Sequence, residues 1–270
     1  MTTQILPIII SDLKWPVVIV VALILFRRQI REVFGRLSNL NITAGNFKLE
    51  TSLRGRVSPA VFKELRKKPN QFSLGGELRT LTVLHLETHD YAFLTANYSP
   101  EAVSNYLHTY LTKMTDVIFQ LGGTIDRYEG LSLTAYWGAP IPCEDAPSKA
   151  CEAALQMQSL INELSPELEA MGHPPLLPLF GVTTAELMVG NFGSEQRANY
   201  SLLGDYKDVL KGLVQLNYNF QTNILITENT YSHVANAFKI RLMAEQLQIS
   251  GKKAPISVYE LLGEVNKQEE

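Results

Sequence analysis

Residues 78–87 read LRTLTVLHLE, and residues 99–140 continue as SPEAVSNYLHTYLTKMTDVIFQLGG, TIDRYEG and LSLTAYWGAP. The first run is short, apolar and rich in residues that suit a pleated surface, so it predicts a strand. In the second, Ser99 stands as N-cap, Pro100 occupies the first helical position and two glycines close the run, which predicts a helix with both ends marked. The last two runs predict two strands in a hairpin-like pair. Strand, helix, strand, strand is the beginning of a helix-covered sheet.

The chain extends this alternation in the C-terminal direction. A long helix is expected from Pro147 to Glu163, with Ala154, Met157, Leu160 and Ile161 on one face. LFGVTT (179–184) and ELMVGNFG (186–193) predict two strands, DVLKGLVQLNYNF (208–220) a helix, and NILITE, FKIRLMAEQLQIS and ISVYELLG late strands. The fold class is α+β, with helices packed on one mixed sheet. The chain is 46% apolar and 19% charged, ordinary for a globular protein and unlike a disordered one.

Charge is distributed unevenly. Residues 27–68 carry eleven Lys or Arg and three acidic residues, while residues 69–270 carry a net charge of -11 within a total of -3. An acidic body excludes non-specific nucleic-acid binding, which depends on neutralising phosphates. The basic stretch follows WPVVIVVALILF (15–26), twelve uncharged residues that span only about 18 Å as a helix. Extended back to Ile5, with Ser11, Asp12, Lys14 and Trp15 at the outer interface, the segment is long enough to cross a bilayer. Arg27, Arg28, Arg31 and Arg36 then place the C-terminal side in the cytoplasm. A cleaved signal peptide requires a basic N-terminal region and a small-residue cleavage site, and the sequence has neither.

The expected organisation is therefore an anchor and juxtamembrane helix (1–38), a basic hairpin and linker helix (39–74), a globular domain (75–264) and a tail (265–270). NLNITAGNFKLE suggests the hairpin, around Ala44 and Gly45. SPAVFKELRKK has Ser58 as N-cap and Pro59 at the first helical position, and its Lys63, Arg66, Lys67 and Lys68 are expected to lie against anionic headgroups. Cys143 and Cys151 lack metal-like spacing and read as free thiols.

Several blocks carry a family resemblance. SPAVFKELRKKPNQFSLGGELRTLTVLHLE, GGTIDRYEGLSLTAYWGAP, VGNFGSEQRANYSLLGD and the closing GKKAPISVYEL resemble, in order and with natural spacing, the signature blocks of class III adenylate and guanylate cyclases. The match runs from about Arg54 to Leu262 and is closest in kind to the membrane-proximal half of bacterial receptor cyclases. It implies a ferredoxin-like βαββαβ core that dimerises head to tail, with nucleotide sites shared between subunits. The implied chemistry is attack of a ribose 3'-hydroxyl on the α-phosphate with loss of pyrophosphate. It needs two divalent ions, Mg²⁺ or Mn²⁺, held by carboxylates, and a transition-state amide and guanidinium from the other subunit.

By the same resemblance, the chain departs from that set at most positions. The first metal aspartate aligns with Glu87 and the second with Leu131, which offers no ligand atom. The asparagine position of the transition-state helix holds Asp208, and the arginine four residues later is Gly212. Arg127 stands where adenylate cyclases carry lysine, Ser201 where many bacterial members carry threonine, and Lys252 is a candidate phosphate contact. One lost transition-state donor costs about 10² to 10³ in rate, and Asp208 adds a negative charge where polyphosphate belongs.

Other chemistries bear on the same region. His85, Glu87 and His89 alternate along a strand and would share a face suited to zinc or manganese, but the expectation is that His85 fills a core site and His89 reaches solvent. Asp126, Glu129 and Asp205 are possible replacement carboxylates, with Asp126 and Asp205 at positions the family fills with acids for structural reasons. Gly190, Gly193 and Gly204 resemble turn glycines rather than a phosphate loop. Tyr106, Tyr110, Tyr136 and Trp137 are expected in core and dimer interface.

The expected protein is a pseudocyclase at the cytoplasmic face of a bacterial inner membrane, single-pass with its N-terminus outside. Its expected partners are the membrane and a second subunit, either its own copy, a cyclase or another membrane protein, and it takes no cofactor unless residual activity brings Mg²⁺ or Mn²⁺. The alternatives are an active cyclase with unorthodox metal ligation and a structural subunit of a membrane assembly.

Overall fold

The computed structural model describes residues 53–67, 75–88, 91–170, 176–194, 198–249 and 254–265. The expected anchor, the expected hairpin around Ala44 and Gly45, His89 and Lys252 lie outside the described residues. Among the described residues, no helix is long and apolar enough to cross a membrane.

The central unit begins with β1 (Gly75–Glu87), followed by a short helix α2 (Tyr91–Asn97) and the long α3 (Pro100–Gln120). A linker helix, α1 (Pro59–Leu65), precedes it. Both expected N-caps form: the Ser58 hydroxyl accepts from the Val61 amide at 3.3 Å and the Ser99 hydroxyl from the Ala102 amide at 3.3 Å. Next come β2 (Thr124–Glu129), β3 (Ser132–Trp137), α4 (Ala146–Ala170) and β4 (Leu179–Gly193). These four strands lie in the order β2-β3-β1-β4, all antiparallel, which is the βαββαβ arrangement expected. The sheet continues through β6 (Ile224–Thr227), parallel to β4, then β8 (Ile256–Glu264) and the edge strand β7 (Phe238–Leu247).

Four elements differ from the sequence expectation. The stretches 179–184 and 186–193 are one strand, because β1 pairs with it without interruption from Gly75↔Asn191 to Glu87↔Leu179 and carries it past Ala185. Residues Ala198–Leu203 form a further strand, β5, paired only with the far half of β4. Tyr91–Asn97 and Glu228–Val234 are helices of seven residues, the second labelled α6, too short to show a helical period.

Both faces of the sheet are covered. On one, Leu84, Leu86, Met114, Ile118, Trp137, Met157 and Ile161 make a core with α3 and α4. On the other, Leu81, Val83, Tyr136, Leu187, Val189, Leu210 and Leu213 pack beneath α5 (Tyr206–Phe220). Alternate residues of β1 thus enter opposite cores, which is why LTVLHL reads as a nearly continuous apolar run. Leu53, Val57 and Leu65 of the linker are buried in this second core.

Candidate nucleotide cleft

The end of β1, the β2–β3 hairpin and the first two turns of α5 enclose a cleft of ≈ 340 Å³. Its walls include His85, Glu87, Thr88, Arg127, Glu129, Lys207 and Lys211. Helical spacing puts Lys207 and Lys211 one turn apart on the cleft side of α5. Asp208 and Gly212, each one residue further on, are not among the lining residues.

Arg127 and Ser201 belong to a network around a buried carboxylate. Asp126 is 5% exposed and accepts from Ser201 Oγ at 3.0 Å on one oxygen and from Tyr206 OH at 3.3 Å on the other. Arg127 Nη2 stands 3.3 Å from Asp126 Oδ2 and donates to Tyr206 OH at 3.2 Å, while its Nε faces Glu129 at 3.6 Å. Burial, and next the Asp126 charge, push the Tyr206 phenol well up, so it stays protonated and a donor. Arg56 closes the network from the linker: Nη1 donates to the backbone oxygens of Asp126 and Tyr200, each at 2.9 Å, and lies 4.0 Å from the Asp126 carboxylate. Asp126 therefore acts as a structural anchor, as the family resemblance implies, and both Arg127 and Ser201 lean on it.

The metal positions can be tested by their donor atoms. Leu131 is 0% exposed and belongs to the α3–α4 core with Leu86, Leu94 and Leu133, so the second position is apolar and sealed. Glu87 remains at the cleft, with one oxygen 3.4 Å from His85 Nε2, while His85 Nδ1 is hydrogen-bonded to Thr134 Oγ1 at 3.0 Å. Both ring nitrogens of His85 are thus occupied within the protein. Among the described residues no group of three His, Cys, Asp or Glu is arranged to hold a metal ion. The residues present do not fit a two-ion centre, and no reaction step is derived through one.

On α5 the arginine position is closed sterically. A Cβ added at Gly212 would stand 2.6 Å from Ile249 Cγ2, and Ile249 is itself 3% exposed. Asp208 is exposed in the first turn of the helix, and Asp205 is its N-cap without a side-chain capping bond.

The remaining candidates are structural. A Cβ at Gly190 would come within 2.2 Å of Gly75 O, so the glycine there permits close approach of β1 and β4. Tyr110, Tyr136 and Trp137 are fully or almost fully buried, and Tyr106 packs against the same core as Tyr110. Sequence reasoning missed Arg56, Tyr206 and Ile249. None has a local signal: each matters through a contact at least 37 residues away.

A mixed sheet with a βαββαβ core and a polar cleft against α5 has the arrangement of an α+β domain of nucleotide-cyclase type. Its likeness to known proteins agrees. Adenylate cyclase 1 of Rhizobium meliloti (strain 1021) is 25% identical over 185 residues, covering 68% of this chain and 28% of that protein. The adenylyl cyclase CyaB from P. aeruginosa superposes with a TM-score of 0.64 at 24% identity, covering 72% of this chain and 98% of that one. The guanylyl cyclase Cya2 superposes with a TM-score of 0.58 at 28% identity, covering 73% and 98%. No family model matches the chain. The chain spans about a quarter of its curated Rhizobium relative. It carries a class III cyclase homology domain.

Proposed function

We propose that this chain is a membrane-anchored pseudocyclase that acts in signalling through protein contacts, with at most weak nucleotide binding. The observation that carries this reading is Leu131, fully buried where the family places its second metal carboxylate. The Ile249 side chain against Gly212 supports it, since it takes the space an arginine would need. Incubation of the purified protein with ATP or GTP and Mn²⁺ is expected to yield no cyclic product. Turnover at the rate of ordinary cyclases would refute the reading and favour an active enzyme with unorthodox ligation.

Pairing with a second cyclase domain is part of the proposal. Leu78, Met188 and Leu203 are directly opposite one another across β1, β4 and β5, and are 58%, 42% and 49% exposed. Such an apolar row on an acidic domain suits a partner surface. The domain would sit at the cytoplasmic face of a bacterial inner membrane, anchored through the segment before Arg27. A reporter fused to the C-terminus should behave as cytoplasmic, and a periplasmic signal would overturn that topology.

A further inference from the structure

We propose that the cleft at the end of β1 binds a phosphomonoester directly on the lysines of α5, with no divalent ion. This deepens the pseudocyclase reading and rests on it for the absence of a metal centre. In the family such a cleft would be charged by ions held on carboxylates. Here the second carboxylate is Leu131, turned into the core. The positive charge comes from side chains instead.

The lysines are available for this. Arg127, the third cation of the cleft, is engaged with Asp126, Tyr206 and Glu129. Lys207 and Lys211 are exposed, line the cleft and have no ion pair among the described residues, Lys207 lying 5.9 Å over the Tyr206 ring. Thr88 is 5% exposed and lines the same cleft, its Oγ1 buried and without a hydrogen-bond partner among the described residues. Buried hydroxyls are rarely left unpaired. Two ammonium groups on one wall of the cleft, with no ion pair among the described residues, call for an acceptor-rich anion.

Size and charge narrow the class. A volume of ≈ 340 Å³ lies near the lower end of the ~300–1,000 Å³ typical of small-molecule sites. The cleft sets Arg127, Lys207 and Lys211 against Glu87 and Glu129. A phosphomonoester carries about -1.5 to -2 at neutral pH, within reach of the two free lysines. A triphosphate without its metal would bring surplus charge against Glu87 and Glu129. The recognised group is therefore a single phosphoryl group, on a nucleoside or a sugar.

The full chain in detergent, with EDTA present, should be titrated calorimetrically with inorganic phosphate, ribose 5-phosphate and AMP. Saturable binding of at least one is expected, with affinity unchanged when EDTA is replaced by Mg²⁺, and ATP binding no tighter than AMP. If phosphate alone binds as well as AMP, the phosphoryl group is the whole ligand; a preference for AMP or ribose 5-phosphate identifies the attached group, and either supports the proposal. Lys211→Gln and Lys207→Gln should each weaken binding about ten-fold, the loss of one charge-assisted hydrogen bond. Absence of saturation at millimolar ligand, binding that appears only with Mg²⁺ or Mn²⁺, or full affinity in both lysine variants would overturn it. Cyclic product from ATP would instead remove the pseudocyclase reading, and the EDTA titration would still decide this one.

Discussion

Replacing Arg56 with methionine tests whether the linker is bolted to the cyclase domain or merely lies on it. Methionine keeps a long apolar stem and removes every donor. Two acceptors would lose their 2.9 Å partner, the backbone oxygens of Asp126 and Tyr200, and both residues are buried, at 5% and 6% exposure. A hydrogen bond from a charged donor contributes about 1.5–3 kcal/mol. The Arg56 side chain is 26% exposed, so water replaces part of each, and the low end applies. The guanidinium also stands 4.0 Å from the Asp126 carboxylate, a smaller contribution at that distance. Arg56→Met should therefore destabilise the domain by about 2–4 kcal/mol, read as a fall in urea midpoint at constant slope. Arg56→Lys, with one compact head in place of a fork, should fall between. Since Ser201 donates to the same Asp126, a double-mutant cycle with Ser201→Ala should show coupling above ~0.5 kcal/mol. An Arg56→Met loss below ~0.5 kcal/mol, the range of ordinary surface substitutions, would refute the reasoning.

Gly212→Arg should cost about 1–3 kcal/mol through overlap with Ile249, and adding Ile249→Ala should recover part of that loss, as thermal unfolding of the three variants would show. Leu131→Asp should lower stability by about 3–5 kcal/mol, the penalty of an uncompensated buried charge, rather than rebuild a metal site; a well-folded variant with gained Mn²⁺ affinity would contradict this. Cys151 is fully buried and its thiol is pushed up to about 12 by burial, whereas Cys143 is half-buried, so a disulfide reagent at neutral pH should label one thiol in the native chain and two in urea. Co-expression with an active cyclase able to pair with this chain should lower cyclic nucleotide output, and unchanged output from verified heterodimers would oppose the pairing proposal.

Much of the fold is legible because its signals are local. Ser58-Pro59 and Ser99-Pro100 mark helix starts within four residues, and the hairpin at Gly130 brings its own strands together. What escaped was set by partners distant in sequence. Thr183, Thr184 and Glu186 break the apolar run of β4, yet thirteen paired residues of β1 hold it as one strand. NYSLLG has too little period to declare β5, which forms because the far half of β4, paired with β1 on one edge, leaves its other edge open past the β6 pairing. The site divides in the same way. Leu131 and Gly212 were visible as departures from the family pattern, but residue type alone did not say that one faces a core and the other a neighbouring isoleucine.

That distinction separates two kinds of position. A missing carboxylate on an open cleft wall is one substitution from repair. A fully buried leucine of the apolar core is not, because an aspartate there must either sit charged in that core or drag the hairpin tip, which lies against Tyr91, away from α2. The arginine position is obstructed too, since a long side chain at Gly212 must first displace Ile249. The Asp126 network, by contrast, is complete, with its carboxylate, two hydroxyl donors and two arginines in contact, and it fastens the linker to the sheet. The part of the domain kept in order is the part that joins it to what precedes it in the chain. This pattern fits a protein held for its attachment and its surface better than one held for turnover.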